Sequence, residues 1–456
     1  MVTAEQLQQI VGEDWVITRE EQMEGYLLDE TAIGVRPEPV KDIIVVKPAT
    51  AQEISEILKL ANEEKTPVYP RGGGTGLVGG AVPTQQGILL SMERFDKVEE
   101  VDKDNLMVVV QAGVTLGDLL AAVEAEDLLF PPHPGDEGAQ VGGMVACNAG
   151  GSRAVKYGVV RNYVKGLEVV LPTGEIVQMG GKLLKNNTGL DLMHLLIDSE
   201  GILGIITRVI FRLYPKFAGM ATLVVSFDDR HAALNAVPKM LQRGVIPLAV
   251  EYMDHGQATL SAEHLNLKWP AETGTAHLMI IVSGTGEDDV YQQCEQITEV
   301  CEEQGAVDTL MAERREEQAD LLKIRSEIYT PMKPRIMDGL DVTVPPGSIG
   351  KLMDAVEEIA RKYETDIPVI GHAADGNMHP YLMKDLGERG IFKEVKTEVY
   401  KAAIALGGVV SGEHGMGKSR LTEVSMSFDP KSRELMLGLK KLFDPNNILN
   451  PGTAIV

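Results

Sequence analysis

The sequence predicts an α+β protein in two domains, residues 1–215 and 216–410, with a C-terminal segment at 411–456 that returns to the first. Three observations carry this. Up to Pro215, short strand-like runs alternate with capped helices and glycine-rich turns. From residue 216 the alternating units are longer and read as an antiparallel sheet with helices on one face. From Ser411 the glycine-rich, motif-bearing texture resumes. A chain of 456 residues is long enough for two or three domains with real cores.

In order, IIVVKP (43–48) reads as a buried strand. Thr50-Ala-Gln-Glu53 has capping-box spacing, and Ile54, Ile57, Leu58 and Ala61 follow on one helical face. TPVYP (66–70), ILLSM (88–92) and LMVVVQAGV (106–114) are strand-like, and Thr115-Leu-Gly-Asp118 opens a helix running to about Leu129. In the second domain TLVVSF, LAVEYM and HLMIIVSG are strands. AALNAVPKML and VYQQCEQITEVCEEQG are helices, joined by helices around 313–330 and 348–363 and a strand DVTVP.

Composition excludes several classes. The net charge of −24 opposes binding to nucleic acid or to an anionic membrane surface. No apolar run approaches the roughly 18 residues of a transmembrane helix, and MVTAEQLQQIVGEDW lacks the features of a signal peptide. Cys147, Cys294 and Cys301 cannot supply the four thiolates of an iron–sulfur cluster, so redox chemistry needs a bound organic cofactor or a metal. So few cysteines suit a reduced, cytoplasmic setting. Oligomeric state, homo- or hetero-, is not written in the chain.

Gly74-Thr-Gly76-Leu-Val-Gly79 matches GxGxxG, but a Rossmann loop must open a helix. Here Pro83 and Gly87 interrupt the place where that helix would lie. Successive backbone N–H groups can cradle phosphate without a helix, and glycine permits close approach. The other reading is a tight turn against the core. Two further stretches, VGGMVACNAGGSRAVKYGVV (141–160) and SEGILGII (199–206), favour a long dinucleotide laid along bare backbone.

Near the C-terminus, GHAADGNMH (371–379) reads as strand, Asp-Gly turn, strand. That arrangement sets His372 and His379 side by side on one sheet. Two neutral imidazoles and a carboxylate make a divalent-metal set with open positions, with Glu413 of SGEHG as third ligand. The plainer alternative is a turn whose histidines bond to backbone. Zn, Mn and Fe all suit such donors.

In order and spacing, PRGGGTGLVGGA, NAGGSRAVKYG and SEGILGIIT resemble the FAD-binding domain of the PCMH / vanillyl-alcohol oxidase superfamily. The nearest branch is that of the D-lactate dehydrogenase and glycolate oxidase catalytic subunits, with the D-2-hydroxyglutarate dehydrogenases. The resemblance covers roughly 38–456. It implies a PCMH-type FAD domain and an α+β cap. Pro70, Arg71, Gly72, Gly73, Gly74, Thr75, Gly76 and Leu77 would meet the FAD pyrophosphate. Pro134, Gly142, Gly143, Ala149, Gly150, Ser152, Ala154, Gly201 and Ile205 would lie along the adenine-to-flavin path, with Asn450 at the flavin edge. PPHPG (131–135) departs from the family's PPDPSS, which leaves contacts around 131–143 less defined.

GHAADGNMH and SGEHG are similar to the family's metal motif, with Ala374 for glycine and Met378 for leucine. The resemblance implies a divalent ion on His372, His379 and Glu413, and His414 as catalytic base. Arg325 would bind the substrate carboxylate, and Asn377 the substrate or flavin. A metal lowers the pKa of a bound hydroxyl, a histidine can take the proton, and hydride can then pass to flavin N5. The implied reaction is oxidation of a small D-2-hydroxy acid, D-lactate first, to the 2-oxo acid. Electrons would leave to an electron-transfer flavoprotein, an iron–sulfur subunit or a quinone. Glycolate, D-2-hydroxyglutarate, or a flavin-binding subunit without turnover are the alternatives. Asp338-Gly-Leu stands where the hydroxyglutarate enzymes carry a basic residue.

Overall fold

A computed structural model describes residues 1–455. They pack as two units, one of 1–149, 159–216 and 413–455, the other of 150–158 and 217–412.

The first unit holds a four-stranded sheet ordered Val16–Ile17, Ile43–Val46, Gly87–Ser91, Val68–Arg71. Its last three strands are parallel. The helix Ala51–Glu64 lies between the first two of them in sequence. Thr50 caps it by accepting from Glu53 N (3.1 Å), while the Glu53 carboxylate turns to Ala49 N (2.6 Å). Its buried face is Ile54, Ile57, Leu58 and Ala61, and Lys65 ends it in the left-handed region (φ 51°). Parallel neighbours require a crossover, usually a helix. Between Val68–Arg71 and Gly87–Ser91 that crossover is the glycine stretch, and it contains no helix.

A second, antiparallel sheet runs Val98–Asp102, Met107–Gln111, Ile205–Arg212, Val164–Val170, Ile176–Gly180. The helix opened by Thr115 is shorter than its sequence suggests, spanning Leu116–Glu124. Ala125 caps it, Asp127 turns the chain beyond it at φ 57°, and Leu128–Leu129 leaves to pair with Tyr214–Pro215.

The second unit is built on an eight-stranded antiparallel sheet. Its order is Ala306–Ala312, Gly219–Phe227, Ala276–Gly284, Ala249–Asp254, Val369–His372, Asn377–Met383, Ile336–Gly339, with Val342–Thr343 also on Asn377–Met383. Helices lie on both faces of this sheet, where the sequence suggested one. A Cβ at Gly219 would meet Val290 at 3.1 Å, so that face of the strand carries the helix Glu287–Glu303. Val224, of opposite parity, packs with Ala258, Ala262, Leu321 and Ile324 from the helices His255–His264 and Arg315–Ser326. All nine residues of Ala276–Gly284 are buried. A strand covered on both sides loses the alternation that would have revealed a second layer. The segment 150–158 joins this unit through Lys156, whose Nζ donates to Ser283 O (3.2 Å) and Oγ (3.0 Å).

Candidate functional site

In the first unit, Pro70 and Arg71 end the strand Val68–Arg71, and Gly72 to Leu77 form the loop beyond it. Its glycines divide into two kinds. Some are dictated by the fold. A Cβ at Gly73 would lie 2.4 Å from Gly138 O. Gly74 takes φ +75° over the Arg71 guanidinium, and a Cβ at Gly142 would lie 2.8 Å from the Ala112 Cβ. Others have no such reason. At Gly72 and Gly76 a Cβ would meet only ordinary contacts, at Gly143 nothing within 4 Å, and none of the three has positive φ. Bare backbone with neither a conformational nor a packing cause leaves a face open to a ligand, and this fits a dinucleotide cradle.

The Arg71 side chain points inward. Its Nη1 donates to Leu28 O (2.8 Å) and its Nη2 to Gly25 O (3.0 Å), and burial pulls its pKa down. Gly201 has φ +70°, and its missing Cβ would press Pro70 at 2.9 Å, so the first and third glycine stretches touch. The second and third are joined by Glu200 N donating to Ala146 O (2.8 Å). Ile205 begins its strand and is buried. Pro134 lies in the loop before the helix Val141–Ala146, which holds Gly142 and Gly143, and Ala149 follows that helix. Gly150, Ser152 and Ala154 fall in the second unit.

The C-terminal segment is knitted into the same loops. Asn450 donates through Nδ2 to Gly80 O (3.1 Å) and Glu200 O (3.0 Å). Lys418 Nζ donates to Gly80 O (3.0 Å) and Asn450 Oδ1 (2.9 Å) and stands 5.4 Å above the Tyr69 ring. Burial lowers its pKa to about 7. The Glu200 carboxylate accepts from Met416 N (2.9 Å) and Gly417 N (2.7 Å), and burial raises its pKa. LFDPNNILNPG is a framework motif. Asp444 accepts from Ile448 N, Leu449 N and Lys440 Nζ, and Lys440 also donates to Ile202 O. Glu413 and His414 begin this segment, directly after Gly412 of the second unit.

In the second unit, Val369–His372 and Asn377–Met383 are adjacent strands joined by a tight turn. Gly376 has φ +89° there, and a Cβ would lie 1.9 Å from Val344 O. His372 pairs with Asn377, so His379 is its diagonal neighbour on the same face. The two rings stand 5.6 Å apart and perpendicular, at 89°. His372 Nδ1 donates to Glu251 Oε1 (2.7 Å), and His379 Nδ1 lies 3.8 Å from Asp341 Oδ1. Burial alone would raise the Glu251 pKa, but the charge of Arg325 and the hydrogen bonds from Arg325 and His372 hold it at about 2. An ionised carboxylate only accepts, so His372 must carry its proton on Nδ1 and offer Nε2 as a lone pair. An imidazole whose Nδ1–H is held by a carboxylate, as in His372, is a usual donor of a divalent-metal site, and with His379 beside it the donor set fits one.

Arg325 ends the helix Arg315–Ser326 with Nη2 2.5 Å from Glu251 Oε2. Its Nε is buried with no hydrogen-bond partner among the described residues. Asn377 Nδ2 donates to Asp341 Oδ1 (2.8 Å) and Val342 O (3.3 Å), which braces the metal-motif strand. Asp341 also accepts from Ser411 Oγ (2.8 Å) and Gly412 N (2.9 Å).

Four residues escaped sequence reasoning: Glu251, Asp341, Glu200 and Lys418. The first two left a signal. Each is a lone acid inside a strand-like run, in LAVEYM and DVTVP, and an acid there is buried only when paired. Glu200 and Lys418 gave none, because their partners are backbone groups and, for Lys418, also the Asn450 side chain, all far away in sequence.

Residues 218–454 match the family described as FAD linked oxidases, C-terminal domain, and residues 43–180 match a FAD binding domain. A D-lactate dehydrogenase of Archaeoglobus fulgidus is 41% identical over 95% of this chain and 96% of its own. One of Anaerostipes hadrus is 36% identical over 96% and 94%. The glycolate oxidase subunit GlcD of Bacillus subtilis is 36% identical over 90% and 88%. Among solved structures, p-cresol methylhydroxylase with substrate bound shares the fold (TM-score 0.78, 19% identical, 98% of this chain and 95% of that one). The glycine cradle and the matched domains agree, and the chain belongs to the FAD-linked oxidases of the PCMH superfamily.

Proposed function

We propose that this protein oxidises a small D-2-hydroxy acid, D-lactate first among candidates, to the 2-oxo acid. Bound FAD would supply the acceptor for the electron pair, and a divalent ion (Zn, Mn or Fe) would supply Lewis acidity at the substrate hydroxyl. The observation that carries the reading is the histidine pair: two imidazoles on one face, each with Nδ1 facing a buried carboxylate. His372, His379 and Glu413 would hold the ion. Glu413 and His414 follow Gly412 in the chain, and Gly412 is itself hydrogen-bonded to Asp341.

Each residue has a distinct task. Arg325 would take the substrate carboxylate with its unpartnered Nε, since a buried guanidinium donor is costly to leave unbonded. His414 would take the hydroxyl proton as the general base. Pro70 to Leu77, Gly143 and the neighbouring loops would hold the cofactor by backbone. Electrons would leave through a protein partner, an electron-transfer flavoprotein or iron–sulfur subunit, or through a quinone. Similarity to D-lactate dehydrogenases over nearly the whole chain supports this substrate class. A longer dicarboxylate is less well served. The place where the hydroxyglutarate branch carries a basic residue reads Asp338-Gly339-Leu340 here, with Lys333 and Arg335 the nearby cations in the chain.

The test is anaerobic bleaching of the flavin by a panel of D- and L-2-hydroxy acids, with and without a chelator. D-lactate should bleach it, L-lactate should not, and chelation should stop the reaction reversibly. Bleaching that ignores both configuration and chelator would refute the reading.

A further inference from the structure

The Glu251 carboxylate stands between two groups of different function. Glu251 and His372 are Cα partners on neighbouring antiparallel strands, so their side chains rise from the same face. Oε1 accepts from His372 Nδ1 at 2.7 Å, and Oε2 lies 2.5 Å from Arg325 Nη2. The residue is 1% exposed, so both arms are shielded from bulk solvent. Arg325 comes from another element, the helix Arg315–Ser326, whose end is pinned where Ser261 Oγ donates to Ile324 O (2.7 Å). One carboxylate therefore fixes a helix-borne guanidinium against a strand-borne imidazole.

We infer that Glu251 is a positioning residue that ties the substrate's anion anchor to a metal-binding imidazole, so that its loss loosens both ligands together. This rests on the function proposed above. With the charge of Glu251, His372 keeps its Nε2 lone pair aimed and Arg325 keeps one arm fixed and Nε free. Without it, the imidazole can rotate or exchange tautomers, and the guanidinium loses its buried counter-charge.

The experiment uses the full-length, FAD-loaded protein stripped of metal. Mn(II) is titrated in, and D-lactate KM and kcat are then read at saturating Mn(II). Glu251→Gln should raise both the Mn(II) Kd and the D-lactate KM about tenfold or more, with kcat within about threefold once both ligands saturate. Arg325→Met should raise KM alone, and His372→Ala the Mn(II) Kd first. Glu251→Asp keeps the charge on a shorter arm and should raise both constants by less than Glu251→Gln. A Glu251→Gln protein with only one constant changed, or with a lower Tm and both constants normal, overturns the inference. If the Gln variant does not fold, an Asp variant with both constants at wild-type values overturns it equally. A wild type that binds no Mn(II) and turns over no 2-hydroxy acid sinks the proposed function and this link with it. A wild type that does both, beside an unaltered Glu251→Gln, sinks the link alone.

Discussion

Lys418 Nζ donates to Asn450 Oδ1 across 2.9 Å, and both side chains reach the carbonyl of Gly80. A cation 32 residues from its partner thus closes the C-terminal segment onto the first glycine loop. Lys418→Met removes charge-assisted bonds from a buried site. FAD retention should fall about tenfold, read as flavin absorbance per chain after gel filtration and as a dissociation constant. Lys418 also has a pH signature. Its folded pKa of about 7 lies below the 10.5 of an exposed lysine, so the unfolded chain binds the extra proton between these values. Wild-type stability should therefore rise from pH 7 toward pH 10 relative to Lys418→Met. Parallel Tm-versus-pH curves for the two proteins would contradict this.

The two kinds of glycine separate by substitution. Gly73→Ala forces a Cβ to 2.4 Å from Gly138 O and should lower Tm even without cofactor. Gly143→Ala meets nothing within 4 Å, so the Tm of the cofactor-free protein should stay within a degree or two while FAD affinity falls. Unchanged FAD affinity in Gly143→Ala would show that this face does not carry the cofactor.

Asp341 accepts from Asn377, Ser411 and Gly412 and stands beside His379. Asp341→Asn puts an amide where three donors converge, so stability should fall by about 1–3 kcal/mol. His379→Ala should leave flavin binding nearly unaltered and abolish retention of a divalent ion. Metal analysis beside a flavin spectrum distinguishes the two. An equal metal content in His379→Ala and wild type would exclude His379 as a ligand.

His277 is wholly buried. Its Nδ1 faces Ser226 Oγ (3.1 Å) and its Nε2 faces His255 Nδ1 (3.1 Å), with Trp269 against the ring. Burial, then the neighbouring His255, lowers its pKa to about 4 from 6.5. The unfolded chain binds the proton first, so this contribution to stability is complete above pH 6.5 and is lost as pH falls toward 4. Calorimetry should show Tm several degrees lower at pH 4.5 than at pH 7, with the slope reduced in His277→Gln. An identical slope in the variant would remove His277 as its cause.

The chain by itself determined much of this protein. The capped helix after Thr50, the strand pair carrying His372 and His379, and the helix-free glycine crossover follow from local rules of capping, turn residues and periodicity, and these act within a few residues. The tertiary structure alone decided which glycines are dictated by neighbours, that the Arg71 guanidinium turns inward, and that helices cover both faces of the larger sheet. It alone decided, too, that Glu251 meets Arg325 and His372, residues 74 and 121 positions further on. A buried acid announces that it needs a partner, but identity and distance are set by strand register and helix placement, and neither is encoded in any short stretch of sequence.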